Sequence, residues 1–131
     1  PMPLTLYAVT AAVFLILDAI MLTLVMKPLF TRHIGPLMAE PIRLAPAAAF
    51  YFAYVGGLVW LVSLPAIRTG APVVLPALVV GLMAYGTYEF TSWSVMRDWH
   101  WTMVAADVTW GGVLTAVSAW AGVAVTRAIH S

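Results

Sequence analysis

The chain has no cysteine and very little charge: of its 131 residues, 8% are Asp, Glu, Lys or Arg. Without cysteine there are no disulfides, no thiolate metal ligands and no thiol nucleophile. A soluble domain carries about 25% charged residues, so a chain this poor in charge has too little to cover a surface facing water. The six basic residues are scattered and the net charge is +1, which leaves no patch for a nucleic-acid backbone. The three histidines show neither H-E-x-x-H nor E-x-x-H spacing. None lies in the middle of an apolar run, which argues against a haem held across a bundle. Ser63, Ser92, Ser94 and Ser118 lack a G-x-S-x-G setting. The sequence thus identifies no catalytic group, no metal site and no cofactor.

What the chain has in abundance is apolar length, with 63% hydrophobic residues. Leu4 to Met26 is an apolar run broken by Asp18 and a few threonines, and at 1.5 Å per residue it reaches about 34 Å, enough to cross a bilayer. Pro1-Met2 reads as a tag remnant, and no basic segment or small-residue cleavage site follows. The first run is therefore expected to remain as a span. Lys27-Pro28 is expected to end it. From Pro28 to Pro46 the chain turns polar, with Arg32, His33, Glu40 and Arg43. Phe30, Ile34, Leu37 and Met38 recur there at helical spacing, which suits an interfacial connector lying in the headgroup layer. Three more spans follow, over about residues 46–64, 73–96 and 101–125. A tight turn at Arg68 to Pro72, with Gly70 as helix C-cap, separates the second from the third.

The expectation is an all-α, polytopic membrane protein: residues 1–131 form a single integral domain, four transmembrane helices in a compact bundle. Both termini then share one side. Lys27, Arg32, Arg43 and Arg97 lie on the side of the first and third loops, against Arg68 and Arg127 on the other. The positive-inside rule places the loop over residues 28–45 in the cytoplasm and the termini outside.

Three acids interrupt the spans. Asp18 lies nine residues before Lys27, Glu89 eight before Arg97 and Asp107 seven after His100. The helical rise converts these separations to depths of about 13, 12 and 10 Å from the same membrane side. An ionised carboxylate facing lipid costs about 2.5 kcal/mol or more, so all three should point into the bundle and share protons or hydrogen bonds. No Lys or Arg lies at their level. Neutral polar partners are near: Tyr85, Tyr88, Thr91 and Ser92 around Glu89, and Tyr51 and Tyr54 on the second span. On the fourth span Asp107, Gly111, Thr115, Ser118 and Gly122 make a small, polar stripe of the kind that lets helices approach closely. Two readings of the acids stand: a polar binding or proton-exchanging site, or hydrogen bonds that hold four helices in register. Phe30, Phe50, Tyr51, Phe52, Trp93, Trp99 and Trp101 gather toward one side, as a membrane-interface belt would. His33 and His100 share that side as solvated interfacial residues.

Five phrases carry a resemblance: F-L-x-L-D (Phe14 to Asp18), K-P-L-F (Lys27 to Phe30), H-I-G-P-L-M (His33 to Met38), Y-G-T-Y-E-F-T-S (Tyr85 to Ser92) and D-V-T-W-G (Asp107 to Gly111). Over nearly its whole length the chain resembles an uncharacterised bacterial four-span membrane-protein family, a domain of unknown function (group two-one-seven-seven). The third-helix phrase there usually reads Y-x-T-Y-D-x-T-N. Glu89 keeps the charge on a longer arm, and Ser92 loses an amide. The resemblance implies the four-span fold and points to Asp18, Tyr85, Tyr88, Glu89, Thr91, Asp107 and Trp110; with Ser92 these form the expected binding site. It implies no activity, and whether the protein is an enzyme stays open.

Three function classes fit these residues. The first is binding or transport of a small molecule, a proton or a cation at the intramembrane acids, with a homodimer supplying the size a transporter needs. The second is a membrane enzyme acting on a lipid-like substrate. The third is a non-catalytic accessory subunit of a larger membrane complex. The expected setting for all three is the bilayer of a bacterial inner (plasma) membrane, crossed several times, with a small molecule or lipid as ligand and no nucleic acid.

Overall fold

The computed structural model describes residues 1–38 and 44–130, and among these the regular structure is helical, with no strand. Four rods are long and apolar enough to cross a membrane: Met2–Leu37, Ala45–Thr69, Val74–Val95 and Trp101–His130. In hydrocarbon each backbone N–H and C=O must be paired within the protein, and an unbroken helix does this by itself. The first rod is α1 (Met2–Met21), a π-helical turn (Leu22–Met26), α2 (Lys27–Ile34) and a closing 3-10 turn (Gly35–Leu37). The second is α3 (Leu44–Leu58), another π-helical turn (Val59–Ser63) and α4 (Leu64–Thr69). The third and fourth are α5 (Val74–Val95) and α6 (Trp101–His130).

Two rods run past the points where the sequence suggests a stop. Helix continues through Lys27-Pro28 and through Leu64-Pro65, and each proline comes two residues after a π turn. Proline lacks an N–H and its ring collides with the carbonyl four residues back. A wide π turn opens the hydrogen-bond ladder there, so the helix absorbs the ring instead of ending. Residues 27–34 are helical, as the spacing of Phe30 and Ile34 suggests, but they prolong the first rod. At 1.5 Å per residue the 36 residues of that rod reach about 54 Å, well beyond a hydrocarbon core of about 30 Å, so its C-terminal part emerges from the lipid. The remainder of the expected connector, including Glu40 and Arg43, lies outside the described residues. Gly70 closes α4 in the left-handed conformation (φ 74°), which glycine adopts without a side-chain clash.

α6 is the centre of the bundle. Its most apolar stretch is 50% buried, against 17–33% for the other three rods, and it packs along α5 on one side and α1 on the other. Glycine sets both spacings. A Cβ on Gly81 of α5 would meet the backbone of Gly111 and Gly112, and one on Gly111 would enter the ring of Tyr85. On the other side Gly122 faces the hydroxyl of Thr10, which is occupied by the Leu6 carbonyl at 2.7 Å. The small stripe of α6 is therefore consumed inside the bundle by α5 and α1. Tyr54 hydroxyl and Thr115 Oγ1, 2.9 Å apart, tie α3 to the same stripe.

The bundle has two distinct ends. At one, His130 Nε2 lies 3.0 Å from Thr5 Oγ1 and Arg127 donates to the Ala66 carbonyl at 3.1 Å, so the end of α6 is tied to the start of α1 and to α4. At the other, Ile34 of α2 packs with Trp99, Met103 and Val104 under the α5–α6 corner.

Gly111→Ala is expected to lower stability by about 1–3 kcal/mol, the range for overpacking a filled interface. Gly86→Ala, whose Cβ meets nothing within 4 Å, is the control. Thermal unfolding of both variants in mild detergent checks this; equal midpoints would contradict the close α5–α6 contact.

Candidate functional site

The polar centre of the bundle is built where α5 ends. α5 stops at Val95, Met96 turns extended (ψ 125°), and the corner brings Trp99 back beneath the helix it has just left. Trp99 is 6% exposed, held edge-on by Phe30 of α2 (centroids 5.4 Å apart) and by Tyr88 of α5 (5.8 Å). Its indole N–H donates to Glu89 Oε1 at 3.0 Å. Glu89 is 0% exposed, sealed in by that indole. Its second oxygen, Oε2, is buried with no N–H or neutral O–H donor within reach. The carboxyl of Asp107 on α6 lies close enough to interact with that of Glu89. Two carboxylates repel, and a hydrogen bond joins them only when one proton sits between the oxygens.

A second carboxyl centre adjoins the first. Trp110, three residues beyond Asp107 on α6, donates its indole N–H to Asp18 Oδ1 of α1 at 3.1 Å. Asp18 is 8% exposed, and Tyr51 on α3 is near enough to interact with it. Asp18 and Asp107 are near enough to interact electrostatically, as are Tyr51 and Tyr85 with both. The ring of Tyr85 fills the space over Gly111 and meets Tyr54 edge-on at 6.4 Å. All four rods thus contribute: Asp18, Tyr51, Glu89 with Tyr85, and Asp107 with Trp110. Among the described residues no three His, Asp or Glu side chains are grouped as metal ligands would be. The acids form a linked pair and a neighbour, not a chelate.

Of the residues expected from sequence, Asp18, Tyr85, Glu89, Asp107 and Trp110 come together. Tyr88 is 54% exposed and touches the cluster through the Trp99 ring. Thr91 faces outward, and Ser92 is half-buried. No side-chain hydrogen bond joins Glu89 to Tyr85, Tyr88, Thr91 or Ser92 among the described residues; its partner is Trp99. Trp99 read from sequence as one more member of the interfacial belt. Phe50, Phe52, Trp93 and Trp101 do face outward, but Trp99 and Tyr51 turn in. For Tyr51 a signal existed, since it is a phenol on the one span without an acid. For Trp99 nothing in the spacing distinguishes a plug from a belt residue.

Near this end lies a separate pair. His33 of α2 and His100 of the corner stack at 4.4 Å with ring planes 9° apart. Thr102 Oγ1 is 2.8 Å from His100 Nδ1 and 3.4 Å from His33 Nε2. The two loops that sequence put on one side are in contact through these rings.

The chain belongs to the family described as a predicted membrane protein family, DUF2177, which matches residues 3–124. No curated protein and no solved structure matches it. The matched segment contains every residue of the polar centre.

Trp99→Phe keeps the aromatic plug and removes the donor to Glu89. Leaving a buried carboxyl oxygen unpaired costs about 1–3 kcal/mol, read as a lower unfolding midpoint in detergent. The loss should shrink when Glu89 is first changed to Leu; an undiminished loss in that background would mean that the indole acts through packing alone.

Proposed function

We propose that this member of the predicted membrane protein family binds or transports a small solute, exchanging a proton or small cation at the Glu89–Asp107 pair. The observation that carries the reading is Glu89 Oε2. It is a fully buried oxygen without a hydrogen-bond partner among the described residues, on a carboxyl that interacts with another carboxyl, Asp107, from a different helix. Asp18 and Glu89 each accept one indole N–H, from Trp110 and Trp99; Glu89 differs in keeping a second, fully buried oxygen without a donor beside the carboxyl of Asp107. Intramembrane carboxyls without a basic partner mark ion and proton pathways. A pair that needs one proton to be bonded stores that proton, and releases it when a cation or a rearrangement takes its place. Trp99 closes the pair from the α5–α6 corner, and Tyr51 and Tyr85 continue a polar line toward Asp18. Displacing Trp99 opens Glu89 to the membrane surface; the residues around Asp18 lead deeper.

The setting proposed is the bacterial plasma membrane, with the α5–α6 corner and α2 on the cytoplasmic side and both termini outside. The basic residues Lys27, Arg32 and Arg97 at the corner end favour that orientation. A cysteine-free chain makes it simple to test. Thr69→Cys should react with an impermeant maleimide added to intact cells, and Asp98→Cys should react only after the membrane is opened. The reverse pattern would invert the proposed topology.

Function is tested in liposomes holding purified protein, by following internal pH and uptake of monovalent cations under an imposed pH gradient. Glu89→Gln and Asp107→Asn are each expected to reduce flux at least tenfold, the size of effect that follows when about 1.4 kcal/mol of a required interaction is lost. Thr91→Val, on the outer face of α5, should leave flux unchanged. Equal flux in the parent and both carboxamide variants would overturn the proposal.

A further inference from the structure

Between α6 and the end of α1 lies an open groove of about 470 Å³. One wall is Met21, next to the π turn of the first rod. The other is a single face of α6 from Trp101 to Val113, floored by the small side chains Ala105, Ala106 and Thr109. Along α6 the groove runs from Trp101 to Val113, twelve helical steps, or about 18 Å. Half of a hydrocarbon core of about 30 Å is close to this length. The groove begins at the corner end, where Trp101 is exposed beside His100, and ends past Trp110 at Val113. Its lining is almost wholly apolar.

Its mouth is different. Thr102 lines the groove and also touches both histidines. The backbone N–H of Thr102 donates to His100 Nδ1 at 3.1 Å, which leaves the ring proton on Nε2, free to donate elsewhere. Arg32 neighbours His33, and Lys27 and Arg97 lie at the same end, against Asp98 among the described residues. An apolar channel one leaflet deep, opening on a cluster of donors with excess positive charge, has the chemistry of an amphiphile with an anionic head.

We infer that the groove seats one acyl chain of an anionic phospholipid, whose phosphate rests against His33, Thr102 and His100. The chain occupies the face between Trp101 and Val113, and the small side chains at positions 105, 106 and 109 make room for it. Imidazole N–H and hydroxyl donors suit phosphate oxygens, while a zwitterionic lipid brings a cationic ammonium toward Arg32 and Arg97. The groove shares Trp110 with the polar centre, but none of its lining residues is a carboxyl, so lipid seating does not require the proton exchange proposed at Glu89 and Asp107.

The test is native mass spectrometry of the full-length protein released from detergent with phosphatidylglycerol or phosphatidylcholine of equal chain length. One phosphatidylglycerol should be retained per chain, about tenfold in preference to phosphatidylcholine. Ala105→Phe, an exposed position that fills the groove without entering the core, should abolish retention of both; Ala53→Phe, exposed on α3, should not. His33→Ala with His100→Ala should erase the headgroup preference and leave chain retention. Equal retention of the two lipids by the parent, or unchanged retention in Ala105→Phe, would overturn the proposal. Retention that persists in Glu89→Gln separates this result from the fate of the carboxyl pair.

Discussion

The close approach of α5 to α6 is the constraint on which the remainder depends. Gly81 against Gly111 and Gly112 brings two backbones together where any side chain would hold them apart. From that contact the antiparallel helices carry Glu89 and Asp107 to the same level, and the ring of Tyr85 fills the only space left over Gly111. Without the glycines the carboxyls would be separated by a layer of side chains, and each would need its own neutral donor. The α1–α6 contact at Gly122 and Thr10 plays the same part for Asp18, which reaches Trp110 because its helix lies close.

Lipid makes this arrangement rigorous in one respect and permissive in another. An acid cannot face acyl chains at low cost, so its helix must rotate until the carboxyl points inward. Apolar side chains carry no such instruction, since Leu is equally at home against lipid or against another helix. The few polar groups therefore orient the rods, and glycines set their distances. Two of the hydroxyls that face outward are quiet for a local reason: Thr87 and Ser94 bond to the carbonyls of Met83 and Phe90 one turn back, at 2.7 and 2.9 Å.

This division explains what could be seen in the sequence. The four spans were legible because run length and scarcity of charge decide them with few alternatives. The burial of Asp18 and Glu89 was legible because a carboxylate in hydrocarbon has one affordable direction. The expected stop at Pro28 and the end of the second span near residue 64 fall short of the helices, since a π turn lets a helix carry a proline and leaves no mark in composition. Trp99 was missed for a related reason. Indole suits the membrane interface and a buried hydrogen bond equally well, and only the path of the α5–α6 corner selects between them. Thr91 and Ser92 were drawn toward Glu89 by sequence proximity, but helical rotation turned Thr91 away. Tyr51, from a span with no acid, comes close to Asp18, whose hydrogen-bond donor is Trp110.

The contact between Glu89 and Asp107 is tested most directly by a double-mutant cycle on unfolding in detergent, using Glu89→Gln, Asp107→Asn and the pair together. If the two carboxyls meet, the double variant departs from the sum of the single ones by about 1 kcal/mol or more, as touching groups do. If the effects add to within about 0.5 kcal/mol, the scatter of independent sites, the two acids do not share a site and the polar centre described above does not exist as a unit.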